Sequence, residues 1–239
     1  MNKIQMLPVF NPQSGKFLFH EKRHLVHTQG HWHKGIQANV IREEGNSFEI
    51  LMQVRSDTVD IGKKKFDQSL ATQMTIEDIL SEENALHRGL QEELGISSYK
   101  KRVKMQGNIR IIKTYEDDWS KFNCEMLSLY ILEVAPDALI KAHSPKIQSL
   151  EWVAWKDFLK RIDTNPTLFT KTAQFYFRTK EIRKEIELLS MQLIQEKLTG
   201  KISRLKNKSY LHIHYRNTKP KTYSFTKNSK SRKMLALDD

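Results

Sequence analysis

The chain has 239 residues, 38% hydrophobic and 28% charged, enough for one core-bearing domain with an appendage and too little for two large domains. A formal charge of +12 points towards nucleic acid or another acidic surface, yet residues 201–239 hold 11 basic residues against 2 acidic, a net of +9, which leaves +3 for residues 1–200. The lone Cys124 excludes an intrachain disulfide framework, and no apolar run approaches the roughly 20 residues of a membrane span or the core of a signal peptide, so a cytoplasmic protein that does not enter membranes is expected.

Pro and Gly punctuate two short apolar runs at residues 4–20, predicting a hairpin with its turn at Asn11-Pro12-Gln13-Ser14-Gly15. Gly35–Ile41 alternates with period two, and Phe48–Val54 follows a turn-like Glu43-Glu44-Gly45-Asn46, which predicts paired central strands. Over 81–94 the period changes: Ala85, Leu86, Leu90 and Leu94 recur at helical spacing between an N-cap-like Ser81 and a C′-like Gly95. Strand-like runs return at 109–112, 126–132 and 150–153, followed by a helix around 156–162. This order predicts an α+β fold with helices packed on a sheet. From 171 to 200 the pattern is helical, with Ile182, Ile186, Leu189 and Leu193 forming a stripe that would bury against the body or a partner. Beyond Gly200 only Tyr210–Tyr215 alternates like a strand, so 201–239 is expected to be a mostly flexible basic tail.

Chemistry concentrates in Arg88-Gly89-Leu90-Gln91-Glu92-Glu93-Leu94-Gly95-Ile96. Positions 89, 92 and 93 are expected to share a helix face beside the apolar ridge of Leu86, Leu90 and Leu94. Carboxylates held on such a docked helix suit a hard divalent cation, which needs oxygen ligands on rigid scaffolding and open positions for water and phosphate. The segment resembles the Nudix box, whose pattern runs Gly, five residues, Glu, seven residues, then Arg-Glu-apolar-x-Glu-Glu-x-Gly-apolar. Arg88, Leu90, Glu92, Glu93, Gly95 and Ile96 match it, whereas Gly89 replaces the first helix glutamate, Leu80 the upstream glutamate, and Met74 and Ile79 the loop glycines. Residues 23–35 are similar to the entry strand and turn of the Nudix subgroup related to isopentenyl-diphosphate isomerase, and 53–56, 67–69, 151–155 and 165–170 follow in that subgroup's order.

The resemblance implies a mixed sheet sandwiched by helices over residues 1–176, with an amphipathic helix at 177–200 and the tail at 201–239. It implies Mg²⁺ or Mn²⁺ held by Glu92 and Glu93, oriented by Arg88, and hydrolysis of a diphosphate linkage in a nucleotide-like or other small molecule. The general base is open, with Glu125 and Glu133 as candidates. Glu82, about 10 Å along the helix from position 89, would reach only a second ion or act through water. Lys63, Lys64 and Lys65, with Arg55, would meet substrate phosphate, or the lysines form a solvated run. His31 and His33 would share a strand face that suits Zn or Mn, with packing as the other reading. Trp152 and Trp155 are expected in the core.

Two alternatives stand beside hydrolysis. A catalytically impaired Nudix domain would bind a nucleotide or diphosphate and act as a regulatory module, and isopentenyl-diphosphate isomerisation ranks lower because the loop Ser69–Met74 has no cysteine. Binding of nucleic acid or an anionic partner through 201–239, and a homodimer, remain open.

Overall fold

A computed structural model describes residues 5–59, 62–78, 81–105, 110–116, 121–195, 211–216, 219–224 and 235–236. The entry hairpin pairs β1 (Met6–Phe10) with β2 (Phe17–Lys22). Its turn is held by Asn11, whose Oδ1 accepts the N–H groups of Gln13 and Ser14 at 2.9 Å. The next segment departs from the expected entry strand. Arg23–Gln29 forms a short helix, α1, and Gly30 stops it in the left-handed conformation at φ 69°.

The central pair is β3 (His33–Glu44) and β4 (Ser47–Arg55), turned at Gly45-Asn46. Two short strands then follow, β5 (Phe66–Asp67) against β4 and β6 (Leu70–Gln73) against the first half of β3. The predicted helix is α2 (Glu82–Leu94), closed by Gly95 at φ 65°. Beyond it lie β7 (Lys101–Lys104), β8 (Arg110–Glu116), β9 (Lys121–Glu133) and β10 (Ile147–Ala154). The main path runs β10, β4, β3, β9, β8. Within this stretch of the path β3 and β9 run parallel, from His33 opposite Glu125 to Ile41 opposite Glu133, and β8 later takes a second parallel neighbour.

The fold is thus α+β, with a mixed sheet between helices. On one face Ile36, Ala38 and Val40 of β3 meet Leu86, Leu90 and Leu94 of α2. Each such buried side chain contributes roughly 1.5–3 kcal/mol, far above the 0.2–0.5 kcal/mol of a surface i,i+4 pair, so docking rather than local charge holds α2 in place. The other face is covered by α3 (Trp155–Thr164), α4 (Lys171–Arg178) and α5 (Lys180–Gln195). The helical pattern expected across 171–200 breaks at Thr179, which is extended at φ −77°, ψ 112°. Ile182, Ile186 and Leu193 of its stripe are buried against the body, while Leu189 is only partly covered. Trp155 stacks on Phe48 in this core, whereas Trp152 is half-buried against the core on the α2 side, under the Arg42 guanidinium.

In the tail, β11 (Leu211–Arg216) pairs antiparallel with β12 (Lys219–Ser224), Tyr215 of β11 lies opposite Ile112 of β8, and β13 (Leu235–Ala236) follows β12. The other tail residues, for which flexibility was expected, lie outside the described residues. Among the described residues no helix is long and apolar enough to cross a membrane.

One contact sets the height of α2 above the sheet. A Cβ at Gly89 would lie 2.8 Å from Thr72 Cγ2 and 3.1 Å from Leu70 Cδ2 of β6. Glycine lets the helix backbone approach these two side chains closely, and any larger residue must push them aside. Gly89→Ala should therefore lower the unfolding free energy by a net of about 1–2 kcal/mol in urea titrations, overpacking outweighing the gain in helix propensity. Thr72→Ser, which removes the opposing methyl, should recover part of that loss.

Candidate functional site

Arg88 and the glutamates leave α2 in different directions. Arg88 Nη2 and Nε donate to the buried Asp78 carboxylate, and Nη2 also donates to the Gln73 carbonyl at 3.1 Å. Asp78 in turn accepts from Thr75 N–H at 3.0 Å and Thr75 Oγ1 at 2.9 Å, which fixes the turn that leads into the helix. Arg88 therefore organises the approach to α2, and its remaining contact, Nη1 to Glu92 Oε2 at 3.2 Å, is an i,i+4 pair. Glu92 is 61% exposed, so this pair adds little stability. The expected common face of Gly89, Glu92 and Glu93 is divided: Gly89 and Glu93 turn inward, Glu92 outward. Successive helical residues are about 100° apart, and with Leu90 and Leu94 against the sheet the rotation of α2 buries Glu93 and leaves Glu92 in solvent.

Glu93 enters a charged corner built from three segments. At the end of β4, Arg55 Nη1 donates to Asp67 Oδ2 at 3.2 Å. Asp67 Oδ1 accepts from Thr170 Oγ1 at 2.7 Å and from Gln68 N–H at 3.0 Å. The third segment leads into β10, where Ile147 lies opposite Arg55 and brings Lys146 beside the corner. Burial pushes the Glu93 carboxyl up to about 7 against the pull of Lys146 and Arg55, and the charges of Asp67 and Glu92 add to the rise. Burial likewise pushes Asp67 up in spite of Arg55 and Thr170.

Lys63 and Lys64 occupy the exposed tip of the turn between β4 and β5, with Lys64 in the left-handed region at φ 57° and Lys65 half-buried. The turn is closed by Lys64 N–H to the Arg55 carbonyl and Arg55 N–H to the Lys65 carbonyl, both at 3.0 Å. The lysine tip and Arg55 thus belong to one local unit.

A second polar cluster lies at the start of β3. His33 Nε2 is 3.6 Å from Glu125 Oε1 and 3.0 Å from the Gln73 amide nitrogen, and the His27 ring meets the His33 ring at 5.0 Å. Arg23 Nε donates to Gln73 Oε1 at 3.2 Å. Burial alone would push Glu125 up, but His33, with His27 behind it, outweighs burial and holds the carboxyl below its usual range. The expected pairing of His31 with His33 is replaced by His27 with His33, because α1 folds His27 back over the strand. His31 sits outside, its ring against Phe19 and its Nε2 at 2.7 Å from Gln29. Of the two candidate bases, Glu125 adjoins the charged corner and acts on Asp67 through its charge, whereas Glu133 lies at the far end of β9, about 26 Å away by strand rise. Cys124, next to Glu125, is buried.

Glu82 is held by side chains from the sheet. Lys104 Nζ, Lys34 Nζ and Ser128 Oγ all donate to it, the last at 2.8 Å, so the first turn of α2 is tied to three strands. Burial pushes Glu82 up, but these partners outweigh it and hold the carboxyl below the usual range.

The expected Mg²⁺ or Mn²⁺ needs several oxygens converging on one point. Here Glu92 turns to Arg88, and Glu93 already lies in the field of two cations, Arg55 and Lys146, that oppose a dication. Among the described residues no three His, Cys, Asp or Glu side chains gather to hold an ion. The residues at Glu92 and Glu93 do not fit the group. The sequence reading missed Asp78, Asp67 as a partner of Arg55, and Lys146. Of these only Asp78 carried a local signal, the Thr75-x-x-Asp78 spacing of a side-chain-capped turn.

No family model matches the chain, and no curated protein matches it. Among solved structures, the crystal structure of DR0079 from Deinococcus radiodurans is similar with a TM-score of 0.54 at 14% identity, covering 75% of this chain and 98% of that one. A Nudix hydrolase from Alicyclobacillus acidocaldarius is matched with a TM-score of 0.47 at 11% identity, over 67% of this chain and 95% of that one. The Nudix domain of Shewanella oneidensis NrtR, complexed with ADP ribose, is matched with a TM-score of 0.44 at 12% identity, over 66% and 88%. At 14% identity the likeness to DR0079 is one of fold.

The Glu93 carboxyl makes stability depend on pH. Its folded value near 7 lies above the ordinary 4.5, so the folded state binds more protons between those values and stability falls as pH rises through that window. Below about 4.5 both states are protonated and the effect vanishes. Glu93→Gln should flatten this stretch of a melting-temperature profile. At a fixed pH, Asp78→Ala should cost on the order of 2 kcal/mol in urea titrations, because Arg88 and Thr75 lose a charged acceptor.

Proposed function

We propose that this chain is a Nudix-type module that binds the diphosphate of a small molecule and does not hydrolyse it through the α2 glutamates. The single observation behind this reading is the division of Glu92 from Glu93 beside a glycine, which supplies no third carboxylate. A cation-dependent hydrolase needs those oxygens to converge. What the same corner offers an anion is positive charge on a rigid frame: Arg55, braced by Asp67 and Thr170, with the lysine tip on the same turn. Arg55 presents a planar fork suited to phosphate oxygens, and Lys63 and Lys64 act as mobile point charges. The match of Arg88, Leu90, Glu92, Glu93, Gly95 and Ile96 to the Nudix box supports the family, as does the seating of that segment on a helix docked against a mixed sheet.

One observation favours a second reading, hydrolysis of the same class of molecule. A carboxyl titrating near 7 is matched to proton transfer at neutral pH, and Glu93 is such a group.

The two readings separate in one assay. Adding inorganic pyrophosphate or ADP should raise the melting temperature with EDTA present, and no phosphate should be released with Mg²⁺ or Mn²⁺. Arg55→Ala should remove most of the shift. Phosphate release that Glu93→Gln abolishes would establish the hydrolase instead.

A further inference from the structure

We propose that Lys146, together with Arg55, is a built-in cation that replaces a divalent ion beside Glu93. The inference rests on the diphosphate-binding reading and specifies how that site is charged.

Lys146 is placed by backbone stitching on both sides. His143 N–H donates to the Glu93 carbonyl at 2.9 Å, and its ring fits so closely over the helix end that a Cβ at Gly95 would lie 2.7 Å from His143 Cε1. On the other side Ser56 N–H donates to the Lys146 carbonyl at 2.8 Å, and Thr58 Oγ1 donates to the Pro145 carbonyl at 3.4 Å. The next residue, Ile147, is already in register with Arg55. The segment 143–146 therefore bridges the end of α2 to the end of β4, and it brings its lysine near enough for the charges of Lys146 and Arg55 both to act on Glu93. Among the described residues Lys146 forms no ion pair, so its ammonium is available to an incoming anion.

The charge balance follows. Glu93 and Asp67 are two buried carboxyl groups facing Arg55 and Lys146, so the corner is compensated without metal. A dication entering it would be repelled by both cations at short range, where partial burial weakens screening. A phosphate-bearing anion meets the same two charges as attraction, and its arrival leaves Glu93 the group best placed to be neutral.

The test substitutes the lysine and reads metal and anion binding separately. Calorimetry in EDTA should show wild-type protein binding inorganic pyrophosphate and Lys146→Ala binding it about tenfold more weakly. Lys146→Glu should acquire Mn²⁺ binding, seen as loss of the free Mn²⁺ resonance and a higher melting temperature, and Lys146→Glu/Glu93→Gln should lose it. Because Lys146 is exposed and Gln keeps the size of the buried Glu93 side chain, circular dichroism should show these variants folded. The proposal is overturned if wild-type protein binds Mn²⁺ in a manner abolished by Glu93→Gln, or if Lys146→Glu binds no more Mn²⁺ than wild type. Absence of pyrophosphate binding with the Mn²⁺ gain intact would overturn the diphosphate reading and leave the charge replacement supported.

Discussion

Where α2 crosses β6, the helix backbone at Gly89 rests almost directly on Thr72 and Leu70. That approach depends on a missing side chain and on the apolar ridge of Leu86, Leu90 and Leu94 beside it. With the helix pressed down at this point, its rotation is fixed, and the directions of Arg88, Glu92 and Glu93 follow. Arg88 reaches back to the Asp78 turn, Glu92 is left in solvent, and Glu93 is driven into the corner between β4 and β10. The same residue that removes a ligand from the helix thereby seats the helix.

The surroundings of α2 show a consistent treatment of charge. Carboxylates packed around it are answered by side chains from other elements: half-buried Glu82 by Lys34 and Lys104, and buried Asp78 by Arg88, Asp67 by Arg55 and Glu125 by His33. Leaving one such group uncompensated costs far more than an exposed pair gains, so these contacts act mainly as conditions for burial. Glu93 differs: among the described residues it forms no close ion pair, and burial pushes its carboxyl up to about 7 against the pull of Lys146 and Arg55. It is the least committed charge on the helix.

What could be read in advance divides along physical lines. The entry hairpin, β3, β4 and α2 announce themselves through local signals: Pro-Gly punctuation, period-two alternation, and an apolar period ended by Gly95. The helix α1 did not, because Arg23–Gln29 spans only seven residues and carries a single buried apolar side chain, Val26. The break between α4 and α5 escaped for a related reason, since no Pro or Gly marks Thr179. At the site, the identities of Arg88, Glu92 and Glu93 were plain in sequence, whereas their divergence depended on which helix face the sheet claims. Lys146 had no local signature. Its role arises from the register that sets Ile147 opposite Arg55, a pairing across ninety-two residues of chain.

The parallel pairing of β3 with β9 has a kinetic side. His33 and Glu125 open that register, also ninety-two residues apart, with β4, β6 and α2 formed between them in sequence. Parallel strands so distant cannot zip from a hairpin, and the loop between them must be closed before any of their contacts form. The histidine cluster is therefore assembled only when both halves of the chain have come together. A nascent or truncated chain that ends before β9 exposes His27, His33 and the unpaired edge of β3, which makes the late arrival of one strand the step that separates a recruited polar site from an adhesive one.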